Sequence, residues 1–159
     1  MTVAYVGLGA NIGEPRQQIE AAVAELKKLP DTNLVLASGV YKSSPLGYLE
    51  QPDFLNAVVR LDTGLPPEAL LDRLQEIENR HGRERPFAGA PRTLDLDLLL
   101  YGDSVQVTPR LTLPHPRMHE RAFVLEPLTE IAPDIAIPGH GAASELLAAC
   151  RGQAVERIG

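Results

Sequence analysis

The chain has 159 residues, of which 44% are hydrophobic and 23% are charged. This composition is typical of an ordinary globular protein and disfavours intrinsic disorder and a long coiled coil. The length fits one domain over residues 1–159, built around one core. The formal net charge of -6 disfavours nucleic acid as the main partner, because phosphate backbones are bound by basic surfaces.

The sequence also indicates where the protein is located and what its cysteine content excludes. The N-terminus lacks a basic region followed by a long apolar stretch, and no segment reaches the roughly 18 apolar residues of a membrane span. We therefore expect a cytoplasmic monomer that does not bind membranes. Cys150 is the only cysteine, which excludes an internal disulfide and a cysteine-based zinc site.

The first two predicted elements are a buried strand and an amphipathic helix. The apolar run Val3 to Gly9 predicts the strand, and the periodicity of Pro15 to Leu29 predicts the helix. The glycines between them resemble the dinucleotide fingerprint G-x-G-x-x-G, but Ile12 stands where the third glycine is required. This departure disfavours a nicotinamide or flavin site.

Two further strands are predicted on either side of a long loop. They run over Leu34 to Lys42 and Phe54 to Asp62, and the loop between them is rich in proline and glycine. Phe54 and Asn56 are expected on one face of the later strand, where a ring beside a carboxamide suits a flat heterocycle. The alternative is an ordinary half-buried sheet face with a hydrogen-bonded asparagine.

A second helix is predicted from Glu68 to Arg80. Gln75 and Glu78 are three residues apart on it, so they share a face and could reach a ligand. Solvated side chains are the commoner explanation of such a pair.

The segment Arg92 to Leu100 predicts a strand with two acidic residues set into an apolar run. Because strand side chains alternate, one face carries Leu94, Leu96 and Leu98, while the other carries Asp95 and Asp97. Residues two apart rise roughly 6.5 to 7 Å, so both carboxylates can contact one or two cations. The alternative is a strand with a solvated outer face. A turn at Gly102 is expected to lead to a hairpin partner over Val105 to Thr108.

Four arginines against one acidic residue give the range 80–92 a local charge of +3, just before the Asp pair. Cations that lead into paired acids suggest a metal-bound polyphosphate held between them. The chain has no Walker A motif, so charge neutralisation would fall to these groups. His115 and His119 are four residues apart, but prolines on both sides of His115 disfavour a helical zinc site. We interpret His115 as a side chain that donates a hydrogen bond to a phosphate.

Three elements are predicted near the end of the chain. They are a short helix over Arg121 to Glu126 ended by Pro127, an edge strand over Ile131 to Ile137, and a helix over Ala142 to Arg151. Residues 153–159 are assigned no element. The arrangement of strands and helices predicts an α+β fold, a mostly antiparallel sheet with helices packed on it.

Six segments, in this order and spacing, resemble the 6-hydroxymethyl-7,8-dihydropterin pyrophosphokinase family. They are Gly9-Ala10-Asn11-Ile12-Gly13, Tyr41-Lys42-Ser43-Ser44-Pro45-Leu46-Gly47, Gln51-Pro52-Asp53-Phe54-Leu55-Asn56, Gly82-Arg83-Glu84-Arg85, Pro91-Arg92-Thr93-Leu94-Asp95-Leu96-Asp97 and Leu113-Pro114-His115-Pro116-Arg117-Met118. The resemblance covers nearly the whole chain. It implies a ferredoxin-like fold and transfer of pyrophosphate from ATP to the hydroxymethyl group of a reduced pterin in folate biosynthesis, with release of AMP.

The resemblance also implies roles for individual residues. Asp95 and Asp97 would hold two Mg²⁺ ions, and Arg83 and Arg92 would steady the transferred group. The pterin would contact Ser43, Leu46, Phe54, Asn56 and Phe123. The ATP would contact Gln75, Glu78, Arg110, Thr112, His115 and Arg121.

Two other functions stay open from the residues alone. One is a different Mg²⁺-dependent enzyme on the same Asp pair, such as a nucleotidyl or glycosyl transferase. The other is a ferredoxin-like module that binds a small ligand without catalysis. Product analysis separates them, because pyrophosphoryl transfer yields AMP, simple kinase action yields ADP, and nucleotidyl transfer yields pyrophosphate.

Overall fold

The structure is a computed structural model that describes residues 1–44, 52–81, 94–150 and 152–159. The strands are β1 (Thr2–Ala10), β2 (Thr32–Ala37), β3 (Tyr41–Ser43), β4 (Phe54–Thr63), β5 (Asp95–Tyr101), β6 (Gln106–Val107), β7 (Thr112–Leu113), β8 (Ala136–Ile137), β9 (Gly141–Ala142) and β10 (Val155–Arg157). The helices are α1 (Pro15–Leu26), α2 (Pro67–Arg80), α3 (Ala122–Ile131) and α4 (Ala143–Ala148), with a single 3-10 turn at Met118–Glu120. None of the helices in these ranges combines the length and apolarity that a membrane crossing requires.

The main sheet is antiparallel and has the order β10-β3-β4-β1-β5, with β2 also pairing with β4. β1 lies between β4 and β5, so the helices α1 and α2 each connect strands that are not neighbours in the sheet. This interleaving makes neighbouring strands antiparallel and gives the ferredoxin-like α+β fold. The predicted fold is confirmed.

The helices α1 and α2 cover one face of the sheet. α1 begins at a proline, which the first helical turn tolerates, and buries Ile19, Ala22 and Leu26 at spacings of three and four residues. α2 buries Leu70, Leu74 and Ile77 in the same way. These side chains and the inward residues of β1, β4 and β5 form one core cluster. A fully buried leucine contributes about 1.5 to 3 kcal/mol, so this cluster is a principal source of stability.

The helices α3 and α4 cover only part of the opposite face. Leu125 and Leu128 of α3 pack there with Tyr5, Val58 and Leu100 of the sheet in a second buried cluster. The rest of this face borders a cavity lined by the neighbouring stretches of β1, β4 and β5. The incomplete cover by α3 and α4 therefore determines where a ligand can reach the sheet.

The single strand predicted over Leu34 to Lys42 is two strands, β2 and β3. Between them, the Ser38 hydroxyl accepts a 2.9 Å hydrogen bond from the N–H of Val58, and the Gly39 N–H donates to the Glu130 carboxylate of α3 at 3.1 Å. A side chain and a helix thus take over bonds that a continuous strand would make.

The predicted hairpin between β5 and residues 105–108 is wrong. β6 pairs with β7, in the register Gln106 to Leu113 and Val107 to Thr112. The segment after β7 instead reaches β5, because the His115 N–H donates to the carbonyl of Leu99 at 2.9 Å. Alternation of side chains indicates a strand but not its partner.

Pro127 was expected to end its helix. This prediction is wrong, because α3 continues to Ile131. Proline removes one backbone hydrogen bond, yet it is buried beside Leu125 and Leu128, whose packing holds the helix together. The strand predicted over Ile131 to Ile137 is consequently reduced to β8, and the unassigned end of the chain contains β10. The first and last predicted helices are shorter than expected, ending at Leu26 and Ala148.

Candidate active site

The two faces of β5 differ as the sequence predicts. Leu94, Leu96 and Leu98 are buried in the core under α1 and α2. Asp95 and Asp97 are half-buried on the opposite face, and both line the same cavity, which we call the main cavity. The pair therefore faces a cavity, whereas the alternative was a flat, solvated outer face.

Two glycines of β1 make room beside the Asp pair. Gly9 is paired with Asp95 on one side and with Asn56 on the other, and Gly7 is paired in the same way with Asp97 and Val58. A Cβ on Gly9 would lie 3.4 Å from Oδ1 of Asn56, inside the main cavity. From the sequence, these glycines belong to a near-miss nucleotide motif, and Gly9 also begins a segment that resembles the family. A glycine within a strand often marks close approach of a ligand, and that signal would have found them.

The far wall of the main cavity is built by β3 and β4. Three of the predicted pterin contacts, Ser43, Phe54 and Asn56, line it. Asn56 donates from Nδ2 to Oγ of Ser43 at 2.7 Å, which fixes how the amide is turned. The predicted contact at Leu46 lies outside the described residues. Where the described chain resumes before β4, the carbonyl of Pro52 accepts a 3.1 Å hydrogen bond from Nδ2 of Asn11.

The third wall belongs to the start of α3. Arg121 and Phe123 both line the main cavity, and the guanidinium carbon of Arg121 lies 5.5 Å from the centroid of the Phe123 ring. Phe54 and Phe123 are therefore brought to one cavity, in agreement with an aromatic site for a flat ring. Arg121 was predicted to contact ATP, and the structure places it beside the Asp pair and the ring.

A second cavity adjoins the first. Arg110, Thr112 and His115, three of the predicted ATP contacts, line it together with Asp97. Leucines of α2, β5 and the 108–116 segment supply an apolar lining. Because Asp97 lines both cavities, this residue is shared by the predicted pterin contacts and these predicted ATP contacts.

His115 is a neutral donor in this arrangement. Burial and the nearby Arg121 guanidinium lower the pKa of His115 to about 4. Its Nδ1 accepts a 3.2 Å hydrogen bond from the N–H of Arg117, so the proton of the neutral ring sits on Nε2. His115 can therefore offer one N–H to a phosphate oxygen at neutral pH. The other histidine considered for zinc, His119, stacks on His140 with ring centroids 3.8 Å apart.

Glu78 and Gln75 occupy different environments. Glu78 is 3% exposed, and its Oε2 accepts a 2.7 Å hydrogen bond from the N–H of Leu96, the residue between the two aspartates. Glu78 of α2 thus holds the backbone of the strand that carries the two aspartates, a role that the sequence did not suggest. Gln75 is exposed on α2 and is not among the residues that line either cavity. Their ATP contacts stay predictions.

The predicted catalytic arginines, Arg83 and Arg92, lie outside the described residues. The chain leading into that stretch is anchored at His81, whose Nε2 lies 2.6 Å from Oε2 of Glu25 on α1. Arg80 adds a 2.9 Å contact to the same carboxylate, and these partners lower the pKa of Glu25 against the opposing effect of burial, which is the largest single influence on it.

The Asp pair fits magnesium by two observations. Its donors are carboxylate oxygens, and Mg²⁺ commonly takes one or two protein carboxylates, with phosphates and water completing the shell. The glycines opposite Asp95 and Asp97 leave the space that such a shell needs. In the described ranges no three histidine, cysteine or acidic side chains are grouped to hold a metal by themselves.

Comparison with known proteins identifies the family. Residues 5–133 match the model of the family described as 7,8-dihydro-6-hydroxymethylpterin-pyrophosphokinase (HPPK). The chain belongs to this family. Its members transfer pyrophosphate to hydroxymethyldihydropterin in folate biosynthesis. The resemblance that the sequence motifs indicated is confirmed.

Relatives and solved structures agree with the match. The chain is 51% identical to the 2-amino-4-hydroxy-6-hydroxymethyldihydropteridine pyrophosphokinase of Pseudomonas aeruginosa, over 97% of this chain and 95% of that one. It is 48% identical to the enzyme of that name in Haemophilus influenzae, over 92% of each chain. A solved HPPK-DHPS in complex with substrates superposes with a TM-score of 0.72 at 13% identity, over 93% of this chain and 43% of that chain. The HPPK fold is therefore shared even where the sequences have diverged.

Proposed function

We propose that this HPPK family member binds the reduced pterin in the main cavity and the phosphates of ATP across the second cavity, with transfer between them at Asp97. The observation that carries the proposal is that Asp97 lines both cavities. A group transferred from one ligand to the other would pass this residue.

The pterin side of the proposal rests on shape and hydrogen bonding. Phe54 and Phe123 offer two rings to a flat bicyclic ligand, and Asn56, oriented by Ser43, offers an amide edge. The hydroxymethyl group of a ring held there would be directed toward the Asp pair. Holding both reactants in one geometry supplies much of the rate enhancement of such reactions.

The phosphate side rests on charge. Asp95 and Asp97 would hold two Mg²⁺ ions, which when bound neutralise phosphate oxygens and polarise the attacking hydroxyl. Arg110, Arg121 and the neutral His115 would donate hydrogen bonds to the phosphates, and Arg83 and Arg92 would steady the transferred group. The bond that forms joins the hydroxymethyl oxygen to the β-phosphorus. The bond that breaks joins the β-phosphorus to the oxygen that it shares with the α-phosphate, so AMP leaves with that oxygen.

The test is product analysis. The protein is incubated with Mg-ATP and 6-hydroxymethyl-7,8-dihydropterin, and AMP, ADP and pyrophosphate are quantified. We expect AMP in amounts equal to the pterin consumed, and none without pterin. Accumulation of ADP or of free pyrophosphate in place of AMP would reject pyrophosphoryl transfer.

A further inference from the structure

The side chain of Gln153 bridges the backbone on both sides of Arg121. Its Nε2 donates a 2.7 Å hydrogen bond to the carbonyl of Glu120, and its Oε1 accepts a 2.9 Å hydrogen bond from the N–H of Ala122. A glutamine amide carries one acceptor and two donors in a fixed plane, so one side chain can hold both groups. The backbone that flanks Arg121 is thereby fixed from a residue 31 or more positions away along the chain.

These bonds act at the start of α3. Arg121 precedes the helix and makes no capping hydrogen bond with its own side chain. The N–H of Ala122 is among the first-turn donors that have no partner within a helix. Gln153 supplies that partner. Arg121 and Phe123 lie on either side of Ala122 and both line the main cavity, so the position of this turn sets the position of both side chains.

The same segment also holds the opposite wall of the cavity. We call residues 153–158 the strap. Its strand β10 pairs with β3, with Val155 opposite Ser43, and the N–H of Ile158 donates to the carbonyl of Val40 at 2.8 Å. The strap is therefore bonded at one end to the turn that carries Arg121 and further along to the strand that carries Ser43.

We propose that Gln153 is a positioning residue for the pterin site, which sets the distance between the wall at Arg121 and Phe123 and the wall at Ser43 and Asn56. The strap lies outside the residues 5–133 that match the HPPK family model. The proposal rests on the proposed function, because it takes the main cavity to be the pterin site.

The decisive variant is Gln153→Ala, measured as the Kd for pterin, the Kd for Mg-ATP, and kcat. Loss of the two bonds should weaken pterin binding about fivefold to tenfold, the size expected when bonds of this kind are lost. The Kd for Mg-ATP should weaken less than the Kd for pterin, because Arg121 is the one proposed phosphate contact on the turn that Gln153 holds. Arg110, Thr112 and His115 make no hydrogen bond with Gln153 among those described. Gln17→Ala is the matched control, because Gln17 is an exposed glutamine on α1, over the other face of the sheet.

A conservative variant separates positioning from general stability. Gln153→Glu keeps an acceptor for the Ala122 N–H and places a negative charge at the start of a helix, which is favourable, but it loses the donor to Glu120. We expect its pterin affinity to lie between those of the unaltered protein and Gln153→Ala. Amide hydrogen exchange at Ala122 should be protected in Gln153→Glu and faster in Gln153→Ala, whether or not the enzyme turns over.

The outcomes are distinguishable. A Gln153→Ala protein that binds pterin within twofold of the unaltered protein overturns the proposal, and so does equal weakening of pterin and Mg-ATP. If Gln153→Ala does not fold, Gln153→Glu decides, since full pterin affinity in that variant shows that the pair of bonds is not needed. Failure of the unaltered protein to form AMP would instead reject the proposed function. The exchange rate at Ala122 would then still show whether Gln153 holds the turn at Arg121.

Discussion

Asn56 on β4 donates its Nδ2 to Oγ of Ser43 on β3 at 2.7 Å, and the two residues are only 7% and 6% exposed. The bond joins two strands at the wall of the main cavity. An asparagine amide can otherwise turn by half a rotation and exchange its donor for its acceptor. In the structure Ser43 accepts from Nδ2 of Asn56, and Oδ1 of Asn56 is turned toward Gly9.

Ser43→Ala should weaken pterin binding about fivefold to tenfold, because the amide of Asn56 loses the partner that orients it. Titration calorimetry with pterin in the absence of ATP measures the effect. Ser104→Ala, in the turn after β5, is the control and should bind pterin normally. An unchanged pterin Kd in Ser43→Ala would show that Asn56 is oriented by something other than this bond.

Asp97→Ala should fold normally and lose nearly all turnover. Its side chain is half-buried on the cavity face, opposite Gly7, so its removal takes nothing from the core clusters. AMP release and thermal melting are measured together. Asp103→Ala, an exposed residue in the turn after β5, is the matched control and should keep full activity. Activity near that of the control would mean that this carboxylate does not hold the metal.

Glu78→Ala should lower the free energy of unfolding by about 1 to 3 kcal/mol, because the buried N–H of Leu96 loses its acceptor. Glu78→Gln keeps an oxygen at that position and should recover most of the loss. Urea denaturation measures both. Glu76→Ala removes an exposed glutamate of the same helix, which pairs with Arg73 at 3.4 Å, and should cost less than about 1 kcal/mol. Equal losses in Glu78→Ala and Glu76→Ala would contradict the assignment.

His115 should make the ligand-free protein less stable as the pH falls below neutral. The unfolded histidine takes up a proton near pH 6.5, whereas burial and Arg121 lower the pKa in the folded protein to about 4. Between these values the unfolded state binds more protons, so the free energy of unfolding falls as pH falls from about 6.5 to about 4. Above that range the ring is neutral in both states and contributes no pH dependence.

The variant that tests this is His115→Asn, whose amide oxygen can still accept from the N–H of Arg117. Urea denaturation between pH 7 and pH 4.5 should show a shallower pH dependence in the variant than in the unaltered protein. Parallel curves would show that other groups account for the loss of stability in acid.

Much of this protein was determined by local sequence. The three-and-four spacing of Leu70, Leu74 and Ile77 requires a helix with one buried face, and α2 is that helix. Alternation along this strand requires that Asp95 and Asp97 share a face opposite to Leu94, Leu96 and Leu98, and they do. Such patterns are decided within a few residues, because the periods of helices and strands are properties of the backbone. The order of the motifs was likewise enough to indicate the family.

Partners distant in the chain were decided only by the tertiary structure. The turn at Gly102 predicted a strand at β6, but the structure pairs β6 with β7, and it is the segment after β7 that bonds to β5. Pro127 breaks isolated helices, yet the buried packing of Leu125 and Leu128 outweighs the bond it removes. From the sequence, Gly9 is the last residue of a predicted strand. Its pairing with Asp95 and Asn56 shows that it leaves space between their side chains.

The main cavity was also predicted in part from local sequence and decided in part by the tertiary structure. The residue types that suit a metal, a ring and an amide edge could be read from β4 and β5 alone. The strap could not, because Gln153 gains its importance only from the two backbone groups that flank Arg121 after folding. Sequence determines which side chains a strand or helix presents, and long-range pairing determines what those side chains meet, because the partners are chosen by the packing of the whole chain.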